Sequence, residues 1–289
     1  NYWYIFAAIF MVFIIGILDD QHDVPPRLKF FVIFAAVLLM WINGLSIYTL
    51  GTWFGYTISL GWLALPFSMF AIAGFTNALN LIDGIDGLSA SVSVVILGFF
   101  YFIGYEYNNT LMMVLSSFTI AGLIGFLMLN WNPAKVFMGD SGSLSIGFII
   151  SVLAVISIKY IHPIVILYVA AVPILDTLIV MLRRVRRGKS PFAADKTHMH
   201  HILTKFFLKH STNENNNVKM SVLFLIILQL SFSGVGYLLS SVINNNPHEL
   251  TPLLALMGFG VLFIVSYVTF TKVKKKQNLI LTTKASHLE

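Results

Sequence analysis

The chain has 289 residues, of which 57% are hydrophobic and only 10% are charged. Soluble domains carry about a quarter charged residues, so this composition excludes an ordinary soluble globule and predicts a protein embedded in the lipid bilayer. Because the sequence has no cysteine, disulfide frameworks, thiolate metal sites and cysteine nucleophiles are excluded, and any metal must be held by oxygen or imidazole ligands.

Nine apolar stretches have lengths near the roughly 20 residues that a helix needs to cross the hydrocarbon core. In chain order they are 2–18, 30–50, 62–79, 88–105, 111–130, 144–158, 163–182, 220–243 and 250–271. The sequence therefore predicts an all-α, polytopic membrane helix bundle of about nine transmembrane helices, forming a single membrane-embedded domain over residues 1–289. Because an apolar run follows Asn1 directly, without Met or a cationic leader, we expect a fragment that lacks its natural start.

Lys and Arg residues are distributed unevenly between the two sides that nine spans define. Seventeen of the 18 lie in segments 19–29, 80–87, 131–143, 183–219 and 272–289, and only Lys159 lies on the other side. By the positive-inside rule the first set is cytoplasmic, so the net charge of +6 reflects topology, and nucleic acid is not an expected partner. The aspartates outside the spans fall in the same segments, which predicts chemistry at the inner leaflet.

The first cytoplasmic segment begins with two adjacent carboxylates, Asp19 and Asp20, and ends at Lys29. Adjacent carboxylates at a helix end repel each other, and this arrangement suits a divalent cation, a proton acceptor or both. The alternative is a solvated acidic helix end that two prolines terminate.

The second segment, 77–87, reads NALNLIDGIDG and spaces Asn77, Asn80, Asp83 and Asp86 three residues apart. If the segment is helical, this spacing predicts a polar ridge on one helix face at the membrane boundary. The alternative is a glycine-terminated helix followed by turns. Polar groups beside hydrocarbon are costly and usually functional, which favours a site.

The third segment, 130–143, presents Asp140 between two glycines just before the sixth predicted span. Asp140 is either an N-cap or a metal ligand at a helix start whose free amides attract phosphate. The sequence contains neither a Walker motif nor a dinucleotide-binding glycine motif, which excludes those nucleotide sites.

The longest polar stretch, 183–219, is predicted to be a cytoplasmic loop that opens with four arginines and reaches His198, His200 and His201. The sequence has no zinc-protease motif, and no cysteine is available to complete a structural zinc site. Imidazole and guanidinium groups both donate to phosphate oxygens, so this stretch suits phosphate binding. The alternative is a topogenic arginine run beside solvated histidines. Inside the seventh span, Asp176 is a buried acid that we expect to pair with a basic group.

Together these segments offer acids for a divalent metal, cationic groups and a position for a lipid head group. This combination suits phosphoryl transfer, because the repulsion between two anions must be neutralised before an oxygen attacks phosphorus. In its motifs GILDDQHDVPPRLK, NALNLIDGIDGLSA, NWNPAKVFMGDSGSLSIGF and ADKTHMHH, the sequence resembles the polyprenyl-phosphate N-acetylhexosamine-1-phosphate transferases, the glycosyltransferase 4 family. The four motifs stand in the family's order.

The resemblance implies that undecaprenyl phosphate attacks the β-phosphorus of a UDP-N-acetylhexosamine, giving a lipid diphosphate sugar and UMP. It implies Mg2+ as the cofactor, with Mn2+ as a candidate substitute, and the first membrane step of cell-envelope glycan synthesis. The expected location is the bacterial cytoplasmic membrane, with membrane lipids as partners and the active site facing the cytoplasm. A homodimer stays open, and about two further spans are expected upstream.

Carried over position by position, the resemblance assigns Asp19 and Asp20 to deprotonating or orienting the lipid phosphate. It assigns Asp140 to the metal, with Asn80 as a second ligand, and Lys29 to the diphosphate. Four positions match the surroundings of the nucleotide: Asp83, Asp86, Asn132 and Phe137, whose ring is expected to stack on uracil. Three match the histidine motif that contacts the sugar or diphosphate: His198, His200 and His201.

The histidine spacing, His-x-His-His, is similar to that of the N-acetylglucosamine branch, whereas the muramoyl-pentapeptide relatives carry three consecutive histidines followed by an acid. UDP-N-acetylglucosamine is therefore the predicted donor, and UDP-muramoyl-pentapeptide or another UDP-N-acetylhexosamine is the alternative. An ion-coupled transporter is the rival class of protein, and it predicts midplane acids and internal repeats, which the sequence lacks. A catalytically inactive scaffold is the third interpretation.

Overall fold

The computed structural model describes residues 2–188, 190, 198–208, 213–245 and 250–285. Eleven α-helices and one antiparallel pair of strands form this part of the chain. In order they are α1 Trp3–His22, α2 Pro26–Ile42, β1 Thr49–Trp53, β2 Tyr56–Ser59, α3 Ala64–Ile82, α4 Leu88–Glu106, α5 Thr110–Asn130, α6 Gly139–Ser157, α7 Pro163–Val169, α8 Ala171–Arg186, α9 Met199–Phe207, α10 Glu214–Asn245 and α11 Thr251–Ala285. Residues 191–197 and 209–212 of the predicted loop lie outside the described residues.

The helix lengths confirm a polytopic membrane bundle. Among the described residues, seven helices are long and apolar enough to cross a membrane, and the count rises to eight if α7 and α8 form one bent span. The predicted number of nine is therefore approximate. The helix α2, which corresponds to the second predicted span, has only 17 residues and ends at Ile42.

Residues 43–48 of that predicted span form turns and coil, and only its last two residues, Thr49 and Leu50, belong to a short β-hairpin. Strands β1 and β2 pair in antiparallel fashion, with Trp53 opposite Tyr56. The two residues between them, Phe54 and Gly55, have φ angles of 51° and 80°. A two-residue hairpin turn whose twist matches that of its strands requires positive φ at both central residues. The chain therefore reverses here instead of continuing as a helix.

Helix α6 packs against α1, α3 and α4 and forms the centre of the bundle. It begins at Gly139, five residues before the predicted sixth span, so Asp140 lies in its first turn. Gly16 allows α1 to approach this first turn closely, because a Cβ atom there would lie 2.5 Å from the Ser141 Cα. This approach holds the inner ends of α1 and α6 together.

The seventh predicted span is broken into α7 and α8, which meet at an angle of 85°. Pro173 explains the break, because proline has no N–H to bond the carbonyl of Val169 four residues earlier. The buried Gln229 of α10 replaces that partner by donating from Nε2 to the Val169 carbonyl at 2.5 Å. Its Oε1 accepts from the Val172 N–H at 3.0 Å, so one side chain satisfies two backbone groups at the break.

We expect Gln229→Leu to lower the free energy of unfolding by about 2 kcal/mol, because two buried backbone groups lose their partner while the side-chain volume is kept. Thermal unfolding in detergent measures the change. Ser233→Ala is the matched control: it removes a hydroxyl that accepts from the Gln229 Nε2 at 2.9 Å and donates to the Val169 carbonyl at 3.3 Å, but it leaves both bonds of Gln229 to the backbone in place. Equal unfolding temperatures for Gln229→Leu and Ser233→Ala would show that Gln229 does not stabilise the break.

Candidate active site

The inner ends of α1, α2 and α6 bring three charged side chains into direct contact. The Lys29 Nζ donates to the Asp19 Oδ2 at 2.5 Å and to the Asp140 Oδ2 at 2.7 Å. The side chains of Lys29, Asp19 and Asp140 are 22%, 9% and 27% exposed, so water screens this cluster only in part. One ammonium group thus bridges two carboxylates that are far apart along the chain.

Asp20 differs from its neighbour Asp19 in what it binds. Its Oδ1 accepts from the Asp140 N–H at 2.7 Å and its Oδ2 accepts from the Ser141 N–H at 3.0 Å. These amides belong to the first turn of α6, where no carbonyl of the helix can accept from them and a negative charge is favoured. Gly139 makes room for Asp20, because a Cβ atom there would lie 2.8 Å from both carboxylate oxygens. Asp20 therefore fixes the start of the helix that carries Asp140.

The surroundings of Asp140 offer the oxygen ligands that Mg2+ prefers. The Asn80 side chain lines the same small cavity as Asp140 and donates to the Ser143 Oγ at 2.9 Å. Lys29, Asn77, Asn80 and Asp140 line a cavity of about 90 Å3. Within the described residues no group of three His, Cys, Asp or Glu side chains is arranged to hold a metal alone. Mg2+ commonly binds through one or two carboxylates plus substrate phosphates, so Asp140 and Asn80 fit it.

The second motif leaves its helix before the acids are reached. Helix α3 ends at Ile82, so Asn77 and Asn80 lie on it, whereas Asp83 and Asp86 lie in the following turn. The predicted helical ridge is therefore wrong for Asp83 and Asp86. The two acids lie off the helix because the chain turns between α3 and α4. Gly87, the residue directly before α4, has a left-handed φ of 77°, which glycine adopts readily.

The turn is tied to the third motif by side-chain bonds. The Asp86 Oδ2 accepts from the Asn132 Nδ2 at 2.9 Å and from the Ala134 N–H at 3.0 Å. Asn130 completes the link, since its Oδ1 accepts from the Gly87 N–H at 3.0 Å. Asn130 was not among the residues predicted for the site. Its position as a polar residue at the end of the apolar helix α5 is the sequence signal that could have identified it.

Asp83 is coupled electrostatically to the charged cluster. Burial raises the pKa of the Asp83 carboxyl to about 6, and the negative charges of Asp140 and Asp86 add to the rise. The charge of Asp140 thus acts on Asp83, so the two carboxylates belong to the same electrostatic site.

We expect Asp83→Asn to stabilise the metal-free protein in a pH-dependent way. An acid with a raised pKa in the folded state binds more protons when folded, so the stability of the unmodified chain falls as the pH rises from about 4 to about 6. The variant lacks this loss of stability, so its free energy of unfolding should exceed that of the unmodified chain by up to about 3 kcal/mol above pH 6 and should equal it below pH 4. Thermal unfolding across this range measures the gain. A pH-independent difference, or an equal gain in the exposed control Asp23→Asn, would contradict this assignment.

The histidine motif packs against the turn of the second motif. His198 shares a hydrogen bond of 2.6 Å between its Nδ1 and the Asp176 Oδ2. Burial lowers the pKa of His200 to about 3, which keeps the imidazole neutral. The ring of His200 lies 4.2 Å from that of His201, centroid to centroid. At Gly84 a Cβ atom would lie 2.2 Å from the His200 Nε2, so these two segments touch where only glycine fits.

We expect Gly84→Ala to reduce the sugar-phosphate transfer that the resemblance implies about tenfold or more, because the added methyl group must displace the His200 ring or the turn that carries the acids. The initial rate of that transfer, measured with the protein in detergent, tests this. Gly74→Ala is the matched control, since a Cβ atom at Gly74 meets nothing within 4 Å. Equal activities for the two variants would show that the contact between Gly84 and His200 is not needed.

The structure therefore places the predicted site residues in separate contacting groups: the acids around Lys29, the pair of Asp86 and Asn132, and the histidines against Gly84. Phe137 is the exception: it is 76% exposed, and among the described residues no contact of its ring with another aromatic ring is found. Stacking of Phe137 on uracil stays a prediction. Asp176 was expected to pair with a basic group, and its partner is His198.

A larger apolar cavity shares helix α3 with the small polar cavity that Lys29 and Asp140 line. Its volume is about 530 Å3, and α3, α6, α7, α8 and the β-hairpin line it. Leu50 and Trp53 line the hairpin end, and Ala78 and Met181 line the part near the inner ends of α3 and α8. Helix α3 contributes to both cavities, with Ala78 in the apolar one and Asn77 in the polar one. An apolar chain in the larger cavity would thus lie close to the charged cluster.

Comparison with known proteins gives a consistent result. Residues 2–158, more than half of the chain, match glycosyl transferase family 4. The chain is 35% identical over 240 residues to the probable undecaprenyl-phosphate N-acetylglucosaminyl 1-phosphate transferase of Bacillus subtilis, a match that covers 80% of this chain and 64% of the relative.

Two further relatives are undecaprenyl-phosphate alpha-N-acetylglucosaminyl 1-phosphate transferases. The chain is 33% identical to that of Yersinia pestis and 34% identical to that of Escherichia coli K12, each over 212 residues that cover 70% of this chain and 58% of the relative. The chain thus spans about three fifths of the length of these curated relatives.

Proposed function

Because the chain belongs to glycosyl transferase family 4, we propose that it transfers N-acetylglucosamine 1-phosphate from UDP-N-acetylglucosamine to undecaprenyl phosphate, releasing UMP. The observation that carries this proposal is the contact between Lys29, Asp19 and Asp140 beside a large apolar cavity. A cationic group between acids suits the approach of two phosphates, and the cavity suits a lipid acceptor.

The acceptor phosphate is proposed to bind beside Lys29, whose ammonium group would also contact the donor diphosphate, as the resemblance implies. The Lys29 ammonium neutralises part of the phosphate charge, and the Asp19 Oδ2 beside it accepts the proton of the phosphate before the oxygen attacks. Asp20 keeps Asp140 in place through the start of α6. The polyprenyl chain is proposed to extend from this point into the apolar cavity of about 530 Å3.

We propose Mg2+ as the cofactor, with Mn2+ as a substitute. Asp140 and Asn80 would hold it, together with oxygens of the donor diphosphate. When bound, Mg2+ supplies positive charge that offsets the charge developing on the transferred phosphoryl group. The partial protein ligand set supports this proposal, because such sites are completed by substrate.

The donor is proposed to bind between the turn that carries Asp83 and Asp86 and the histidine motif. His198, His200 and His201 would contact the sugar or the diphosphate, while Asn132 and Asp86 shape the nucleotide side. Two observations favour N-acetylglucosamine: the His-x-His-His spacing and the substrate in the names of the relatives.

We also propose that the reaction takes place on the cytoplasmic side of the inner membrane. The multi-pass helices and the concentration of basic residues on one side support this orientation. The charged cluster lies at the inner ends of α1, α2 and α6, where the head group of a lipid in that leaflet would lie. Transport is less well supported, since these acids lie at helix ends and not at midspan.

The experiment that tests this function measures transfer of radiolabel from UDP-N-acetylglucosamine to undecaprenyl phosphate by the protein in membranes or detergent. We expect a labelled lipid diphosphate sugar and release of UMP in equal amounts. UDP-N-acetylgalactosamine and UDP-muramoyl-pentapeptide, supplied as donors in parallel, should react more slowly. Faster transfer from either of them would overturn the donor assignment, and an absence of labelled lipid with all three would overturn the proposed function.

A further inference from the structure

The buried carboxylate of Asp176 has no part in the reaction proposed above, yet it binds the histidine motif at two points. Asp176 lies in α8 and is 1% exposed. Its Oδ2 is 2.6 Å from the His198 Nδ1, and its Oδ1 accepts from the Met199 N–H at 2.6 Å. Burying a carboxylate is costly unless it is paired and hydrogen-bonded, and both oxygens are used here.

The bond to Met199 sets where α9 begins. His198 is the N-cap residue of α9, but its own side chain makes no capping bond. The Met199 N–H is one of the amides that a helix start leaves without a partner inside the helix. Asp176 supplies that partner from another helix and places a negative charge where the helix dipole favours it. The carboxylate of α8 therefore anchors the first turn of α9.

The bond to His198 determines which ring nitrogen carries the proton of a neutral imidazole. An ionised carboxylate can only accept, so the proton of a neutral His198 ring stays on Nδ1 and Nε2 is left with a free lone pair. Nε2 is then the one ring nitrogen available to a ligand. A carboxylate that holds a ligating or catalytic imidazole in one tautomer and orientation is a recurring arrangement in proteins.

The anchor extends to the acids of the second motif. The His198 and His200 rings are nearly parallel, with an interplanar angle of 12° and centroids 5.7 Å apart. The His200 ring in turn lies against Gly84, which stands between Asp83 and Asp86 in the sequence. Fixing His198 and the start of α9 thus fixes the distance between the imidazoles and the acidic turn.

We propose that Asp176 is a positioning residue that holds His198, in its Nδ1-protonated form, and the start of α9 against the Asp83–Asp86 turn for binding of the diphosphate donor. The proposal rests on the proposed function for its substrate, but the contact itself can be tested without activity. Asp176 does not touch the substrate and acts only through the histidine motif.

The first test uses the unmodified chain with 15N-labelled histidine in detergent. Nitrogen chemical shifts distinguish the two neutral tautomers, and His198→Gln assigns the signal by its disappearance. We expect His198 to carry its proton on Nδ1. A ring protonated on Nε2 alone would overturn the proposal, and this result does not depend on whether the chain transfers sugar phosphate.

The second test is kinetic and uses Asp176→Asn. An amide that accepts from the Met199 N–H presents its donor to His198, which moves the imidazole proton to Nε2 and removes the free lone pair. We expect the KM for the UDP-sugar to rise roughly tenfold or more, while the KM for the lipid phosphate stays within about twofold. Asp23→Asn, an exposed acid in a left-handed conformation that asparagine tolerates, is the matched control and should leave both constants unchanged.

A double-mutant cycle separates positioning from a general loss of structure. If Asp176 acts through His198, Asp176→Asn should cost little further donor affinity in a chain that already carries His198→Gln. Fully additive losses, or equal rises in the KM of donor and acceptor, would overturn the proposal. If Asp176→Asn does not fold, two other measurements still test the proposal. They are the tautomer of His198 in the unmodified chain and the KM for the donor in Asp176→Glu, which keeps the charge.

Discussion

Replacement of Asp140 by Asn is expected to lower kcat for sugar-phosphate transfer by about 10³-fold. The amide keeps the size of the side chain, but it removes the charge that pairs with the Lys29 Nζ at 2.7 Å and the proposed anionic ligand for Mg2+. The backbone N–H of residue 140 still donates to Asp20, so the start of α6 should keep its structure. The variant therefore removes charge from the site without removing its scaffold.

The measurement is the initial rate of transfer from radiolabelled UDP-N-acetylglucosamine, at saturating concentrations of both substrates. EDTA should abolish transfer by the unmodified chain, and added Mg2+ or Mn2+ should restore it. Asp23→Asn changes the same chemical group at an exposed position and should keep full activity. Full activity of Asp140→Asn, or full activity in EDTA, would refute the metal role of Asp140.

Asp19 and Asp20 are adjacent in sequence, but we expect their replacement to affect different quantities. Asp19→Asn should lower kcat by about 10²- to 10³-fold, because Asp19 is proposed to accept the proton of the lipid phosphate. It should change stability less, because the amide oxygen can still accept from the Val24 N–H and Lys29 keeps its bond to Asp140. Asp20→Ala should lower the free energy of unfolding by about 1–2 kcal/mol, because the Asp140 and Ser141 amides lose their acceptor. It should also reduce activity through the displaced Asp140.

Thermal unfolding and initial rates, measured on the same preparations, distinguish these two roles. Asp20→Asn should lie between Asp20→Ala and the unmodified chain, because an amide oxygen can still accept from one of the two N–H groups. An unchanged unfolding temperature for Asp20→Ala would show that Asp20 does not cap α6. Equal losses of stability for Asp19→Asn and Asp20→Ala would remove the distinction between the two carboxylates.

The class of fold and the gathering of the motifs could be predicted from sequence, because both depend on signals that act over whole segments. Hydropathy identified the stretches that form the bundle, and the positive-inside rule placed the four motifs on one side. That placement put Lys29 and Asp140 on the same side, but the contact between them was not predicted from the sequence.

The details that the sequence did not predict depend on single residues or on distant contacts. A window of about 20 residues averages over the end of α2 at Ile42 and over the break before Pro173, so neither the hairpin nor the bend was expected. The different bonds of Asp19 and Asp20 depend on an approach of α1 to α6 that no local pattern encodes. The pairing of Asp176 with His198 is equally non-local.

The bridge that Lys29 makes between Asp19 and Asp140 also bears on how the protein is synthesised. The lysine and Asp140 are 111 residues apart, so at about 5–20 residues per second the ribosome needs roughly 6–20 seconds to deliver the second carboxylate. During that interval the nascent chain holds only the Asp19 partner of the ammonium group. The charged cluster is therefore assembled only after α6 has been inserted, and a chain stalled earlier in translation would lack the proposed site for the lipid phosphate.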